Sequence, residues 1–494
     1  MSLLDSILLT VREYTESADG KTSRPFSRLA TFRQFVLNVM GALLRDDNYG
    51  VTSFIRSLGL PGDCYQNILH MFRSSAIDLG VLRHAWISAV RKYAPFYYSD
   101  CELKKAKEDR CVTLVIDHKK KSKEARYMPL VHKMFQESDT QSKAEYIFGH
   151  CWGAVGVLIG STAEKLACLP LMAQIQDGLK GLMNWKECDI KDETMIIRLY
   201  RNAIECAEQL KCNCRFLADR AFLSGEGMRL IEEFNAASEH VLHVITKCRN
   251  SVTAFEDPNP NDSKRGRPRK KGEKIKLNDL FRTKRSHFSK EKMNVYGEKK
   301  TVEYLVIDLL WKQGYYKRLR FVLSIMDKNV KSILVTDDLS LTGREVIEAY
   351  CMRFRIETMF RTMSQNGSFN YRFWTSAMTK LKRFAKSTDP DPLSGVKSRK
   401  KRKKILECIN AIEMYMHVCG MATGINQIIS VTIDVDPQMM RWQRTPAKNR
   451  PSEENIVHTI QKLFSDVIRT GFVSGNYKIL QIIHEAQSHH SRAK

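Results

Sequence analysis

Acidic residues are scarce in this sequence relative to basic ones. Among 494 residues there are 80 Lys and Arg but only 55 Asp and Glu, which gives a formal net charge of +25. A protein with that excess attracts polyanions, and without them its surface charges repel one another. The charge balance therefore favours nucleic acid as a partner before any motif is considered.

Long apolar runs, a secretory leader and an ordered cysteine pattern are also missing. The longest apolar run, residues 148–159, includes three glycines and is shorter than the ~20 residues of a membrane span. The 13 cysteines are odd in number and scattered, and Cys212 and Cys214 are too close together for the usual zinc spacing. We therefore expect no membrane span, no disulfide framework and no zinc, and a reducing cytoplasm as the compartment.

The composition is otherwise that of a folded protein. Hydrophobic residues make up 43% of the chain and charged residues 27%, so a sizeable core can form and wholesale disorder is excluded. Because a chain of this length exceeds one hydrophobic core, we expect two to four domains, or one domain with large insertions.

The first hundred residues predict helices. Apolar residues recur at helical spacing over 32–44 and again over 68–72. Between these stretches, residues 51–65 contain a short helical pattern, a Gly and Pro-Gly break, and a second helix that Asp63 could cap. The pattern is compatible with a DNA-binding helix-turn-helix and equally with a plain helical bundle.

From Cys111 onward the sequence changes to short apolar runs of strand length. Helical segments near 194–209 and 227–236 fall between these runs, which is the alternation of an α/β sheet. Two of the strands end on an aspartate, Asp117 and Asp219, and reactive groups gather at strand ends in such sheets. The predicted strands are 112–117, 154–159, 214–219 and 240–246.

A polar and basic segment, 257–271, separates these strands from a second group. The segment is too rich in Pro, Gly and charge to lie in a core, so it is predicted to be a loop or linker. The strands that follow predict an antiparallel insertion before a long helix that starts near Thr342. These strands are 301–311, 319–325 and 332–336. In the tail, a cationic cluster at 397–404 is compatible with a DNA clamp or a flexible linker, and a helical stretch then runs to about Ile429.

The long helix carries one polar face. At 100° per residue, the polar side chains fall within about 60° of Tyr350, while residues such as Met352, Ile356 and Phe360 face the opposite side. A solvated face would explain the charges, but it would not explain why two strands upstream end in Asp. The residues of the polar face are Tyr350, Arg353, Glu357, Arg361 and Ser364.

Three carboxylates from two strands and one helix can converge on metal ions. Asp117, Asp219 and Glu357 are the candidate ligands and catalytic residues. Such a set can hold two Mg²⁺ ions about 3.5–4 Å apart, which activate an attacking oxygen and stabilise a leaving one in phosphodiester chemistry. Mn²⁺ is expected to substitute for Mg²⁺.

These segments resemble the DDE transposases of bacterial insertion sequences, in the branch with a Tyr-x2-Arg-x3-Glu-x6-Lys signature. The similarity covers roughly residues 111–374. It is carried by Leu-Val-Ile-Asp117, by Phe-Leu-Ala-Asp219-Arg-Ala-Phe, by Val-Thr-Asp-Asp-Leu-Ser-Leu from Val335, and by Tyr350-Cys-Met-Arg353-Phe-Arg-Ile-Glu357.

The resemblance implies an RNase H-like catalytic core with a β-rich insertion between its last strand and the helix that bears the glutamate. It also implies an activity, namely binding of the terminal inverted repeats of an insertion sequence, metal-dependent strand cleavage, and strand transfer by the freed 3′ hydroxyl. Double-stranded DNA, as element ends and target, is then the partner, and the DNA complex is expected to contain a homodimer. No membrane and no small-molecule cofactor is expected, and the site of action would be the bacterial nucleoid in the cytoplasm.

With this resemblance the chain divides into five segments. A helical N-terminal DNA-binding region and a helical C-terminal region flank a core that is interrupted by the insertion. The segments are 1–106 (N-terminal region), 107–248 (first part of the core), 249–340 (insertion with the basic loop), 341–380 (helix completing the core) and 381–494 (C-terminal region).

One position departs from the signature. Its closing lysine would fall at 364, where this chain has Ser364, so the contact of that lysine with a terminal phosphate is in doubt. Arg361, one helical turn earlier on the same face, is a candidate replacement cation. Loss of activity in a decayed element is the competing explanation. Tyr350 and Arg353 match the signature, and the resemblance assigns them to positioning a backbone phosphate beside the metals.

Two further features concern DNA. The segment 264–271 resembles an AT-hook core, so Arg265, Arg267 and Arg269 are candidates for a narrow A·T minor groove, although a basic loop that touches phosphates explains them equally well. Trp311 could stack a displaced base or could belong to the core.

Other acids compete with the three candidates. Asp308 lies in a strand of the predicted insertion, and Asp337 and Asp338 precede the long helix as a helix cap would. Two other functions also stay open at this level. One is a DNA-binding relic without chemistry, which Ser364 motivates, and the other is a repair nuclease of the same fold.

Overall fold

The computed structural model describes residues 1–18, 20–45, 47, 50–136, 145–259, 269–326, 330–381, 391–434, 450–470 and 477–488. Within them the chain is a mixed α/β protein with a twelve-stranded mixed sheet and helical regions, which confirms the predicted α/β class. Two units are distinguished. Residues 96–117 and 196–356 form the first, called the sheet unit below; residues 1–95, 118–195 and 357–494 form the second, called the helical unit.

The α-helices in chain order are α1 Ser2–Glu13, α2 Leu29–Leu44, α3 Val51–Ser57, α4 Cys64–Met71, α5 Leu79–Tyr93, α6 Asp100–Leu103, α7 Met195–Leu210, α8 Gly225–Ala237, α9 Leu280–Thr283, α10 Gly343–Cys351, α11 Arg355–Gln365, α12 Arg399–Thr432, α13 Glu453–Thr470 and α14 Lys478–Ser488. The strands are β1 Glu16–Ala18, β2 Lys21–Ser23, β3 Val112–Ser122, β4 His132–Phe135, β5 Tyr146–Gly160, β6 Leu166–Ile175, β7 Cys214–Ala218, β8 Leu242–Lys247, β9 Thr253–Phe255, β10 Lys274–Lys276, β11 Ser289–Val295, β12 Glu298–Trp311, β13 Lys317–Met326 and β14 Val330–Thr336.

In the sheet unit, parallel and antiparallel strands follow one another. The order is β10, β9, β12, β13, β14, β8, β7 and β3, with β11 paired to β12. β3, β7 and β8 run parallel, since helices α7 and α8 return the chain between them. From β8 through β14 and β13 to β12 the pairs are antiparallel. The strands predicted after the basic loop are therefore present.

The helical unit contributes three antiparallel strands of the sheet, and helices cover them. β5 pairs with both β4 and β6, and α12 packs on β6 and on α2. Trp86 of α5 donates its Nε1–H to the carbonyl oxygen of Pro170 at 2.9 Å. Gly424 of α12 lies against the same ring, where a Cβ atom would come within 2.5 Å of the indole, so only glycine allows this approach.

Three sequence expectations need correction. The first strand does not end on Asp117, because β3 continues to Ser122 through a lysine-rich stretch whose side chains are half-buried. The cationic cluster near 397–404 is not a flexible linker, since Arg399 begins α12 and Ser398 caps it with its side chain. β6 was not predicted at all, because its apolar run contains a proline.

The predicted long helix is interrupted. α10 ends at Cys351, a 3₁₀ turn occupies Met352–Phe354, and α11 begins at Arg355. The N-cap of α10 is Thr342, which forms a capping box with Glu345, so the cap is not formed by Asp337 or Asp338 as predicted. A 3₁₀ turn has three residues per turn, so a helical wheel drawn through it at 100° per residue misplaces the side chains.

The segment predicted as a helix-turn-helix or a bundle forms α3 and α4, which both contact α2. Gly59, with φ of +59°, lies in the break between them. Asp63 occupies the N-cap position of α4, but its side chain forms no capping hydrogen bond. Across the described ranges, no helix has the length and apolar character needed to cross a membrane.

Candidate active site

Asp117 and Asp219 occupy matching positions on neighbouring parallel strands of the sheet unit. β3 and β7 pair in register at Val115 and Leu217, and each aspartate lies two residues further along its strand direction. Asp219 directly follows β7, and the Thr246 hydroxyl donates to its carbonyl oxygen at 2.7 Å. Two parallel strands therefore bring the two predicted acids to the same level of the sheet.

Arg353 joins this pair from the 3₁₀ turn. Its Nη1 donates to Oδ2 of Asp117 at 3.0 Å, and each of the two side chains is 17% exposed. Arg353 also hydrogen-bonds the phenol of Tyr350. One guanidinium thus links an acid and a tyrosine that the sequence had placed in the same site, in a setting with limited access to water.

Tyr350 is held between charges of both signs. Burial raises the pKa of its phenol well above the ordinary value; nearby Arg353 opposes this rise, and Asp219 adds to it. Tyr350 is consequently neutral at physiological pH and can donate a hydrogen bond. The structure brings together four of the predicted residues: Asp117, Asp219, Tyr350 and Arg353.

Glu357 lies in the first turn of α11 and is exposed. It belongs to the helical unit, whereas the two aspartates belong to the sheet unit. Carboxylate oxygens are the ligands that Mg²⁺ prefers, so the chemistry of the acids fits this ion. Among the residues that the structure describes, no group of three or more His, Cys, Asp or Glu side chains is placed to hold a metal ion. The described residues offer the ligand chemistry without an assembled three-ligand site.

A lysine from β3 contacts the position where the signature lysine is missing. Lys119 donates from Nζ to the Ser364 hydroxyl at 3.0 Å and to the carbonyl oxygen of Phe360 at 3.3 Å, all within the helical unit. The Ser364 hydroxyl in turn donates to the same carbonyl at 2.7 Å. An ammonium group is therefore present beside Ser364, although it comes from another part of the chain.

The environment of Lys119 is positively charged. Burial lowers the pKa of its ammonium, and Lys121 and Arg361 lower it further. Arg361 is exposed on α11. Since the neighbouring charges that affect Lys119 are both cations, an anion brought to this point would be stabilised by all three side chains.

The rival acids have structural partners. Asp308 accepts two hydrogen bonds from Arg320, both at 2.8 Å, across the β12–β13 pair. Asp338 accepts from Arg215 at 2.8 Å, and Arg215 also donates to Glu102 at 3.2 Å. Burial alone would raise the pKa of Asp338, but Ser340, His243 and Arg215 together lower it to about 2. These carboxylates hold strands together.

Asp337 is paired in the same region. It accepts a hydrogen bond from the backbone N–H of Val244 at 2.8 Å, and its other oxygen lies 3.0 Å from Nδ1 of His243. Hydrogen bonding and attraction to Asp337 raise the pKa of His243 against the lowering effect of burial.

The remaining sequence candidates have separate outcomes. Arg265 and Arg267 lie outside the described residues, and Arg269 is exposed. Trp311 is 8% exposed, so of its two interpretations the core position is the correct one. The zinc-like pair Cys212 and Cys214 has a 3.9 Å separation between its sulfur atoms.

Sequence reasoning missed Lys119. The only available signal was the run Asp117-His-Lys-Lys-Lys-Ser-Lys123, which extends a buried strand with cations where a turn would be ordinary. Charge on a strand that stays half-buried is unusual without a partner or ligand.

Comparison with known proteins adds no further assignment. A scan against models of protein families and a search of curated protein sequences each returned no match.

Proposed function

We propose that this chain is a DNA transposase with an RNase H-like catalytic core. It would bind the terminal inverted repeats of an insertion sequence, cleave one strand with metal ions, and transfer the freed 3′ end to target DNA. The observation that carries the proposal is the cluster of Asp117, Asp219, Tyr350 and Arg353, which come from β3, from the residue after β7, from the end of α10 and from the 3₁₀ turn.

The cluster has the chemistry to position a phosphodiester. Arg353 can bind a phosphate oxygen with the same guanidinium that binds Asp117 here, and neutral Tyr350 can donate a second hydrogen bond. Asp117 and Asp219, with Glu357, are the residues that would hold Mg²⁺. The ions would supply activation of the attacking oxygen and stabilisation of the leaving one.

The exchange of partners at Arg353 follows from charge. In this structure the guanidinium neutralises Asp117. A DNA phosphate would compete for Arg353, and the carboxylate released in this way would be available as a metal ligand. DNA binding and completion of the acid site are therefore coupled in this proposal.

Two further observations support DNA as the substrate. The first is the net charge of +25. The second is the pair of cations Lys119 and Arg361 beside Ser364, where a second phosphate can bind. The presence of Lys119 also weakens Ser364 as an argument for a decayed element.

The test is cleavage of a labelled duplex that carries the ends of the element, with Mg²⁺, with Mn²⁺ and with EDTA. We expect nicking at the element boundary only with metal. Asp117→Asn, Asp219→Asn and Glu357→Gln should each lower the cleavage rate by about 100-fold or more while end binding persists. Asp308→Asn is the matched control, because that strand acid is paired with Arg320, and it should cut at close to the normal rate.

The results separate the candidate functions. Binding of the ends without any cleavage would contradict the transposase and favour a DNA-binding relic. Cleavage that ignores the inverted repeats would favour a nuclease of the same fold. If Asp308→Asn and Glu357→Gln lower the cleavage rate equally, the assignment of Asp117, Asp219 and Glu357 as metal ligands is wrong.

A further inference from the structure

A cavity of about 980 Å³ opens in the helical unit, and none of the proposed catalytic residues lines it. It is called the Trp374 pocket below. Its wall is formed by the segments 123–128 and 370–374 together with Asp47. The volume lies at the upper end of the about 300–1,000 Å³ usual for ligand pockets.

The rim of the Trp374 pocket presents two aromatic side chains to solvent. Trp374 is 60% exposed and Tyr127 is 39% exposed. The other tryptophans in the described part of the chain are all buried: Trp86, Trp152, Trp185 and Trp311. A large aromatic surface left in water at the mouth of a cavity indicates a binding surface.

The backbone behind these aromatics is fixed. Lys123 donates from Nζ to the carbonyl oxygens of Phe369 at 2.5 Å and Tyr371 at 3.1 Å. The Thr375 N–H donates to the carbonyl oxygen of Tyr127 at 2.9 Å, which ties the two wall segments together. The backbone that carries the exposed Trp374 is therefore held in place by these hydrogen bonds.

The Tyr371 side chain anchors the same segment in the core. Burial lowers the pKa of His150 to about 3, so its imidazole is neutral. The ring donates from Nε2 to the Pro129 carbonyl oxygen at 2.8 Å, and its Nδ1 then accepts from the Tyr371 hydroxyl at 2.7 Å. Trp152 completes the set by donating to that hydroxyl at 2.9 Å. Each polar atom of this buried triad has a partner of the correct kind.

In the wall segment 370–374, buried and exposed side chains alternate. Tyr371 and Phe373 are buried, whereas Arg372 and Trp374 between and after them are exposed. Arg372 and Trp374 thus share the outer face of an extended segment, two residues apart. A guanidinium and an indole at this spacing can hold a phosphate and the base attached to it.

The charge of the Trp374 pocket favours an anion. Arg126 and Arg372 line it, against the carboxylates of Asp47 and Glu124. Lys123 also lines it, but burial lowers the pKa of its ammonium to about 7, so it adds only part of a charge. Asp47 is already paired with Arg56 at 2.5 Å. A second cavity of about 720 Å³ shares Arg372 and Trp374 and adds two more cations, Arg73 and Lys404, with one carboxylate, Glu407.

We propose that the Trp374 pocket binds an unpaired nucleotide of DNA, with the base stacked on Trp374 and the phosphate held by Arg372 and Arg126. Aromatic faces beside arginine are the usual means by which proteins hold single-stranded nucleic acid, because every base has a π-face and every nucleotide a phosphate. This inference rests on the proposed function only in taking DNA as the ligand. It assigns no role in cleavage to the pocket.

The test uses the full chain and a duplex with one bulged 2-aminopurine, whose fluorescence is quenched by stacking. We expect quenching with the unmodified protein, its loss in Trp374→Ala, and its retention in Trp374→Phe. The affinity of Trp374→Ala for the bulged duplex should fall about tenfold, with little change for a fully paired duplex. Arg372→Gln should weaken binding of the bulged duplex and reduce the slope of log K against log salt by about one.

Tyr146→Ala is the matched control, since that aromatic is 46% exposed in the same unit and does not line the pocket. It should leave quenching unchanged. Undiminished quenching in Trp374→Ala would overturn the pocket assignment even if the element ends are cleaved normally. If quenching depends on Trp374 but the protein never cleaves the element ends, the pocket assignment is supported and the transposase proposal is wrong. If neither duplex binds, both proposals fail.

Discussion

Buried charge is compensated differently at Arg215 of the sheet unit and at Lys119 and Lys123 of the helical unit. In the sheet unit, Arg215 is 4% exposed and is paired with two carboxylates, Glu102 and Asp338, which are 2% and 8% exposed. In the helical unit, the half-buried Lys119 and Lys123 donate to a hydroxyl and to carbonyl oxygens, and the neighbouring charges that shift their pKa values are other cations.

This difference separates charge that holds the fold from charge that is available to a ligand. In the buried cluster around Arg215, mutual attraction and further hydrogen bonds to Glu102 and Asp338 offset the cost of desolvation. A buried ammonium among cations is compensated only partly by neutral acceptors, and burial lowers the pKa of Lys123 to about 7 as a result. An incoming phosphate would give Lys119 and Lys123 an anionic partner, whereas Arg215 already has two.

The largest expected effect is at Arg215. Arg215→Met should lower the free energy of unfolding by about 3–5 kcal/mol, because Asp338 and Glu102, which keeps only Lys105, would lose the buried guanidinium that they share. Urea denaturation followed by circular dichroism measures this. Arg318→Met is the control, since its pair with Asp257 is 42% and 56% exposed, and should cost less than about 1 kcal/mol. Similar losses in the two variants would contradict the distinction between the pairs.

Lowering the pH is expected to have a smaller effect on the free energy of unfolding. The folded pKa of Asp338 is about 2 against 3.8 for the ordinary group, so the unfolded state binds the proton first as the pH falls. The contribution of this carboxylate, about 2 kcal/mol, is complete above pH 4 and is lost as the pH falls towards 2. The stability difference between the unmodified protein and Asp338→Asn, measured in urea, should therefore shrink between pH 5 and pH 2. A constant difference would rule this account out.

The smallest of the three effects concerns Lys119. Lys119→Met should weaken binding of the element ends about tenfold and lower the salt slope by about one, because one phosphate contact is lost. Lys120→Met is the control, since the Lys120 Nζ donates to the Phe135 carbonyl oxygen rather than to Ser364. The double variant Lys119→Met with Ser364→Lys should recover much of the affinity if the ammonium is required at that place. No loss in Lys119→Met would show that the cation beside Ser364 does not bind DNA.

Features fixed by local chemistry could be predicted from the sequence. The apolar runs predicted β7, β8 and the first half of β3, with Asp219 directly after β7, and helical spacing predicted that Tyr350 and Arg353 share one face. The strands after the basic loop were likewise evident because each is long, apolar and bounded by turn residues.

Features that depend on distant partners could not be predicted. No residue between Cys351 and Arg355 is Gly or Pro, so nothing local announces the 3₁₀ turn that carries Arg353 to Asp117. The contact of Lys119 with Ser364 joins positions 245 residues apart, and spacing along one helix cannot reveal it. The exposure of Trp374 is also invisible in the sequence, where an isolated tryptophan suggests a core residue.

The ion pair between Arg353 and Asp117 bears on how an idle enzyme would behave in a cell. A nuclease that keeps its acids ready for metal at all times would endanger the chromosome of its host. Under the proposed function, the guanidinium on Asp117 would keep the acid site incomplete in a free molecule until a DNA phosphate binds Arg353 in its place.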